Sequence, residues 1–141
     1  MNTYPWIIIM THGNFGAELK KSAELVLGPL KDVYCLSLNE GTDPMELSEE
    51  LAGILEKAPD NTIILTDLYG GSVNQKIVQE VMTTKPDNVF IISNANLAIA
   101  LSLIFLKEGE KLTKEDIQAA IAEAQIQFVE LNPSNEEENF F

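Results

Sequence analysis

The residue with the clearest chemical potential is His12, the only histidine among the 141 residues. It follows the apolar run WIIIM, residues 6–10, whose continuous hydrophobicity predicts a buried strand. Gly13 comes directly after it and indicates a turn. A neutral imidazole has one donor nitrogen and one lone-pair nitrogen, so a histidine exposed at a strand end can act as a nucleophile. We therefore interpret His12 as a nucleophile that carries a phosphoryl group.

A second candidate, Asp67, ends another apolar run, TIILT, residues 62–66. A carboxylate that accepts a hydrogen bond from one ring nitrogen fixes the histidine tautomer and leaves the other nitrogen free to attack. It also stabilises the positive charge that develops when the ring is phosphorylated. Asp67 is predicted to orient His12, and we expect Nε2 to be the attacking nitrogen, because Nδ1 turns more easily toward a carboxylate near its own backbone.

Both candidates are followed by turns that could hold a phosphoryl group. Backbone N–H groups at a helix N-terminus bind anions, and glycines let the backbone come close. No lysine or arginine lies beside either turn, which suits transient holding of a phosphoryl group better than tight nucleotide binding. The predicted phosphoryl-binding residues are Thr11, Gly13, Asn14, Gly70, Gly71 and Ser72.

Each of these features has a simpler structural interpretation when taken alone. A single histidine is more often a turn residue than a catalyst, an aspartate often caps a helix, and two glycines often make a tight turn. The prediction of a catalytic role therefore depends on whether His12 and Asp67 lie close together in the fold.

The pattern of elements along the chain predicts that they do. Four apolar strands alternate with helical patterns, which indicates an α/β fold with a doubly wound, mainly parallel sheet covered on both faces. The predicted strands are residues 6–10, 33–38, 62–66 and 88–93, and the predicted helices are residues 15–27, 45–57, 73–83, 97–107 and 113–124. In the common strand order 2-1-3-4, ligands bind where the order reverses, between the carboxyl ends of strands one and three. His12 and Asp67 leave these two strands.

The segment QIQFVEL, residues 125–131, alternates polar and apolar residues and predicts an edge strand with one wet face, with its direction left open. We expect residues 1–131 to form a single domain and residues 132–141 to form an acidic tail.

Composition narrows the class of partner. The chain has 22 acidic and 9 basic residues, a formal net charge of −13, so it has no basic patch with which to bind nucleic acid. One histidine and one cysteine cannot build an ordinary zinc site, whereas composition alone leaves a Mg²⁺ site with oxygen ligands open. We expect neither a bound metal nor a cofactor. The absence of a membrane-length apolar stretch and of a signal-peptide pattern favours a cytoplasmic location.

Two motifs, THG after the first strand and DLYGGSVNQ after the third, resemble those of the enzyme IIA domain of mannose/fructose/sorbose-class bacterial sugar phosphotransferase systems. The resemblance implies that His12 is the phospho-acceptor and Asp67 its partner. It also implies transfer from the phosphocarrier HPr to a IIB component, which serves sugar uptake and phosphorylation through the membrane components IIC and IID. A homodimer that exchanges a C-terminal strand is implied as well, with residues 125–131 as the candidate strand.

The sequence departs from the family pattern at two places. Many members have GGSPFN or GGSPTN where this chain has Gly71-Ser72-Val73-Asn74-Gln75, and many have Asn-Leu-Pro or Asn-Ile-Pro where it has Asn96-Leu97-Ala98. The family roles at Asn74 and Asn96 are therefore not carried over.

Two other functions stay open at this point. The phosphoryl-donor subunit of bacterial dihydroxyacetone kinases shares the fold and the histidine, although its motif usually has a serine where this chain has Gly13. A non-catalytic flavodoxin-like binding module would instead bind a chromophore or metabolite and would not need His12.

Overall fold

The computed structural model describes residues 6–84, 89–106 and 112–131. Strands and helices alternate through most of this part of the chain, as the sequence predicts. The strands are β1 (Ile7–His12), β2 (Val33–Leu38), β3 (Ile63–Thr66) and β4 (Phe90–Ile92). The helices are α1 (Phe15–Leu27), α2 (Pro44–Lys57), α3 (Ser72–Thr84), α4 (Leu97–Ile104) and α5 (Lys114–Glu123).

The four strands form one parallel sheet in the order β2-β1-β3-β4, which confirms the predicted order. β1 and β3 are the central strands, and Met10 of β1 lies opposite Thr66 of β3 in the register. Because the strands are parallel, His12 and Asp67 leave the sheet at the same edge. No helix in the described ranges is long and apolar enough to cross a membrane.

The central strands are apolar except at their carboxyl ends because helices cover both of their faces. Alternate side chains of a strand point to opposite faces, so Ile7 and Ile9 pack with α1, α4 and α5, whereas Ile8 and Met10 pack with α2 and α3. The residues of β3 divide in the same way, with Ile63 and Leu65 on one side and Ile64 on the other. These two packed layers hold the carboxyl ends of β1 and β3 in fixed positions.

The helix N-termini follow the sequence pattern. Asp43 caps α2 by accepting a 2.9 Å hydrogen bond from the amide of Met45, and Pro44 occupies the first turn, where its missing N–H costs nothing. Thr113 and Asp116 form a capping box at the start of α5.

β1 is longer than predicted, because Thr11 and His12 continue the ladder with Ser37 and Leu38 of β2. The prediction of a strand over residues 125–131 is not met within the described part of the single chain, where this segment pairs with no strand. Its side chains are largely exposed, including Ile126 at 95% and Phe128 at 88%. The predicted acidic tail, residues 132–141, lies outside the described residues.

Helix α1 lies close to β1 at Gly16, and this contact generates a stability prediction. A Cβ built on Gly16 would lie 2.8 Å from Cγ2 of Ile9 and 3.2 Å from Oγ1 of Thr11. Gly16→Ala should lower the free energy of unfolding by about 1–3 kcal/mol, because the packed strand cannot move away freely.

Gly53→Ala is the matched control, since Gly53 lies within α2 and a Cβ there meets nothing within 4 Å. It should raise the free energy of unfolding by roughly 0.5–1 kcal/mol through helix propensity. Urea unfolding of both variants measures the difference, and a Gly16→Ala variant as stable as Gly53→Ala would contradict the close packing.

Candidate functional site

His12 occupies the last position of β1, where the chain turns sharply away from the sheet. The turn requires Gly13, whose φ of +59° lies in the left-handed region that favours glycine. The amide of Gly13 donates a 2.9 Å hydrogen bond to the carbonyl of Leu38, which fixes the turn against β2. The imidazole is left 43% exposed at the rim of the sheet.

Asp67 contacts His12 at two points. One carboxylate oxygen, Oδ2, accepts a 2.9 Å hydrogen bond from the backbone amide of His12 and lies 3.1 Å from the ring nitrogen Nδ1. The other oxygen, Oδ1, lies 3.3 Å from Nδ1. The structure thus brings together two side chains separated by 55 residues, at the place that the strand order predicts.

This contact determines which nitrogen of the neutral ring carries the proton. A carboxylate only accepts hydrogen bonds, so the Nδ1 that faces it is the donor and carries the hydrogen. Nε2 then keeps its lone pair. Asp67 is only 14% exposed and is held by the His12 backbone as well as by the ring, so the carboxylate is positioned before any ligand arrives.

The loop after Asp67 leads into the N-terminus of α3. Gly70 adopts a φ of +76°, and the carbonyl of Gly71 accepts the hydrogen bond from Gln75 that belongs to the first turn of α3. The first amides of a helix have no partner within the helix and carry partial positive charge. The backbone around Gly70, Gly71 and Ser72 therefore lies where the sequence predicts amide donors.

Two asparagines that the sequence analysis did not include among the site residues support this edge. Asn94, just after β4, accepts a 3.0 Å hydrogen bond from the amide of Tyr69 through its Oδ1. Oδ1 of Asn74 accepts from the hydroxyls of Thr66, at 3.3 Å, and Ser93, at 2.7 Å. Asn94 follows the end of a strand, as Asp67 does, and this position is the one sequence feature that could have indicated it, whereas Asn74 lies in the first turn of α3.

Asn96, whose family role was left open, caps helix α4. Its Oδ1 accepts a 2.8 Å hydrogen bond from the amide of Ile99, and its Nδ2 donates to the carbonyl of Ala124 at 2.8 Å. Asn96 therefore ties α4 to the end of α5.

Thr11 is a correction to the predicted phosphoryl-binding set. Its side chain is fully buried, and its hydroxyl accepts a 2.9 Å hydrogen bond from the amide of Gly16. The hydroxyl therefore stabilises the start of α1 and cannot reach a group at the surface. Asn14, by contrast, is exposed at the N-cap of α1 and makes no side-chain capping bond.

Cys35, the single cysteine, is less suited than His12 to act as a nucleophile. Burial raises the pKa of its thiol, which favours the unreactive protonated form. The thiol donates a hydrogen bond to the carbonyl of Gly16 at 3.7 Å and packs against the core beside α1. Among the described residues, no group of three or more His, Cys, Asp or Glu side chains is arranged to hold a metal ion.

Three solved structures share this fold over most of their length. They are a PTS IIA protein associated with the fucose utilization operon of Streptococcus pneumoniae (23% identity, TM-score 0.74, 89% of this chain and 96% of that one), phosphotransferase component EIIA from Streptococcus agalactiae (20%, 0.71, 86% and 95%), and a mannose/sorbose-specific IIA subunit from Enterococcus faecalis (24%, 0.71, 92% and 99%). At these identities the likeness shows the fold alone.

Family membership comes from the sequence match. No curated protein sequence matches the chain significantly. The EIIA-man family, described as "PTS system fructose IIA component", matches residues 6–125, and this range includes His12, Asp67 and every element of the sheet. The chain therefore belongs to the EIIA-man family, the IIA components of sugar phosphotransferase systems, and has a role in such a system.

Proposed function

We propose that the protein is a phosphohistidine relay component that accepts a phosphoryl group from HPr on His12 and passes it to a IIB component. The IIB component serves the membrane components IIC and IID, which take up and phosphorylate the sugar. The observation that carries this proposal is the pairing of Nδ1 of His12 with the Asp67 carboxylate at 3.1 Å on an exposed rim.

The transfer follows from the state of the ring. The lone pair of Nε2 attacks the phosphorus of phosphorylated HPr, a new N–P bond forms, and the N–P bond of the donor breaks with its electron pair returning to the donor imidazole. Such transfers depend mainly on positioning and on charge stabilisation. The ring of His12 becomes positively charged as the bond forms, and the Asp67 carboxylate beside Nδ1 stabilises that charge.

The phosphoryl oxygens need donors, and the backbone supplies them. Gly70, Gly71 and Ser72 lead into α3, and Gly13 and Asn14 lead into α1. Amides at a helix N-terminus attract an anion by about 0.3–1 kcal/mol at an exposed site. A contribution of this size suits a group that must leave again for the next acceptor.

A phosphoryl-transfer assay tests this proposal. Enzyme I, HPr and labelled phosphoenolpyruvate should give a phosphoprotein that is labile in acid and stable in base. His12→Gln should abolish labelling because no other imidazole exists in the chain. Asp67→Asn should slow labelling by roughly 10–100-fold, the range seen when a metal-binding histidine loses the group that orients it.

Two outcomes of that assay decide against the proposal. A His12→Gln variant that still accepts label from HPr would rule out His12 as the acceptor. Label that passes to a dihydroxyacetone kinase subunit and not to a IIB component would assign the protein to the other phosphoryl-donor class.

We also propose that the protein forms a homodimer through residues 125–131. These residues form no helix or strand in the described part of the chain, and the apolar side chains of Ile126 and Phe128, which share one face of an extended segment, are each at least 88% exposed. The outer edge of β4 has no neighbouring strand in the described part of the chain. Pairing of residues 125–131 with this edge in a second copy would cover both the apolar side chains and the open edge.

Sedimentation velocity tests the dimer. The wild type should sediment at about twice the 15.6 kDa chain mass, because burial of Phe128 and its neighbours favours association. Phe128→Glu should shift the equilibrium to monomer by placing a charge in the buried contact.

Gln127→Glu adds the same charge to the neighbouring residue, which points to the other face of an extended segment, and should leave the dimer intact. A wild-type monomer at micromolar concentration, or equal loss of association in the two variants, would contradict strand exchange.

A further inference from the structure

The loop that carries Asp67 is held mainly by the turn after β4. The residue before Asp67, Thr66, accepts a 2.9 Å hydrogen bond at its carbonyl from the amide of Ala95. Tyr69, the second residue after Asp67, donates a 3.0 Å hydrogen bond from its amide to Oδ1 of Asn94. Two neighbouring residues of one turn thus fix the backbone on both sides of the Asp67 carboxylate.

Packing does not replace these hydrogen bonds. The side chains of Leu68 and Tyr69 are 56% and 80% exposed, so they bury little surface that would hold the loop in place. Gly70, next along the chain, has no side chain at all. Apart from the contacts of Asp67 with His12, such a loop is held in position mainly by its backbone hydrogen bonds.

Asn94 is suited to this contact by its conformation. Its φ of +57° lies in the left-handed region, which asparagine tolerates better than most residues with a side chain. In this conformation the side-chain carbonyl of Asn94 contacts the amide of Tyr69 in the loop after β3. The amide group is neutral, so it accepts the hydrogen bond without adding a second negative charge to the loop that carries Asp67.

The turn itself is tied to the ends of two strands. Ser93, the residue before Asn94, and Thr66, the residue before Asp67, both donate their hydroxyls to Oδ1 of Asn74 on α3. This shared acceptor fixes the ends of β3 and β4 relative to each other. The position of Asn94 is therefore coupled to the position of the Asp67 loop at three places.

We propose that Asn94 is a positioning residue that keeps the Asp67 carboxylate against Nδ1 of His12 and so keeps the neutral ring in the tautomer that has its hydrogen on Nδ1 and its lone pair on Nε2. The effect of Asn94 on phosphoryl transfer rests on the proposed function, whereas its effect on the tautomer of the His12 ring does not. Loss of the Asn94 acceptor releases the Tyr69 amide, the carboxylate moves more freely, and the neutral ring populates the second tautomer.

Asn94→Gly tests this directly, because glycine adopts a positive φ without strain and only the side-chain acceptor is lost. Nitrogen-15 NMR of the neutral ring reads the tautomer without ambiguity in an untagged protein, since the chain has a single histidine. The wild type should show mainly the form protonated on Nδ1. Asn94→Gly should show a mixture, faster hydrogen exchange at the Tyr69 amide, and phosphoryl uptake from HPr slowed by roughly 3–10-fold, less than the loss of the carboxylate itself.

Asn61→Gly is the matched control. Asn61 also adopts a left-handed conformation, with a φ of +73°, and its Oδ1 accepts a 3.0 Å hydrogen bond from the amide of Leu112. It precedes β3, whereas Asp67 follows β3, so it lies at the opposite edge of the sheet. Its variant should keep the wild-type tautomer and rate. Asn94→Asp retains an acceptor oxygen at this position and should therefore keep the wild-type tautomer.

A wild-type tautomer distribution in Asn94→Gly overturns the proposal, and so does an equal change in Asn61→Gly. The two proposals fail in different ways. If HPr does not phosphorylate the wild type, the relay function fails, and the ring tautomers of the two glycine variants still decide the role of Asn94.

Discussion

The hydrogen bond between the imidazole of His12 and the carboxylate of Asp67 joins the ends of two strands whose residues are 55 positions apart. The other residues of the site either fix the backbone that carries His12 and Asp67 or supply amides beside them. The backbone amide of His12 holds the same carboxylate, so the acid is oriented even when the ring moves. A neutral ring with its Nδ1 occupied in this way keeps the lone pair on Nε2, which is the nitrogen that the proposed transfer uses.

The contact contributes to orientation more than to stability. A partly exposed pair of this kind stabilises a fold by only about 0–1 kcal/mol, because water competes for both partners. The geometry is instead imposed by the sheet, whose central strands are buried on both faces and cannot shift independently. Buried and half-buried polar side chains then stabilise the carboxyl ends of the strands by hydrogen bonds. Thr11 supports the start of α1, and Asn74 links the ends of β3 and β4.

The sequence was sufficient to predict the pairing of His12 with Asp67, because parallel strands place their carboxyl ends at one edge and the common strand order puts β1 beside β3. It was not sufficient for Thr11, whose hydroxyl points inward because β1 continues two residues further than its apolar run. Asn94 was missed because its contact with Tyr69 depends on how the turns after β3 and β4 lie relative to each other, which the sequence pattern does not specify. Residues 125–131 show a further limit: an alternating pattern predicts a strand but does not identify the edge it pairs with, and within the described part of the chain this segment pairs with neither edge of the sheet.

The most direct test of this account is the identity of the phosphorylated nitrogen. Phosphorus–nitrogen couplings in NMR spectra of the phosphorylated, nitrogen-15-labelled protein distinguish the two ring positions, and the single histidine makes the assignment unambiguous. The account predicts phosphate on Nε2, with the hydrogen retained on Nδ1 facing Asp67. Phosphate found on Nδ1 would contradict it, because that nitrogen could not then bind the carboxylate.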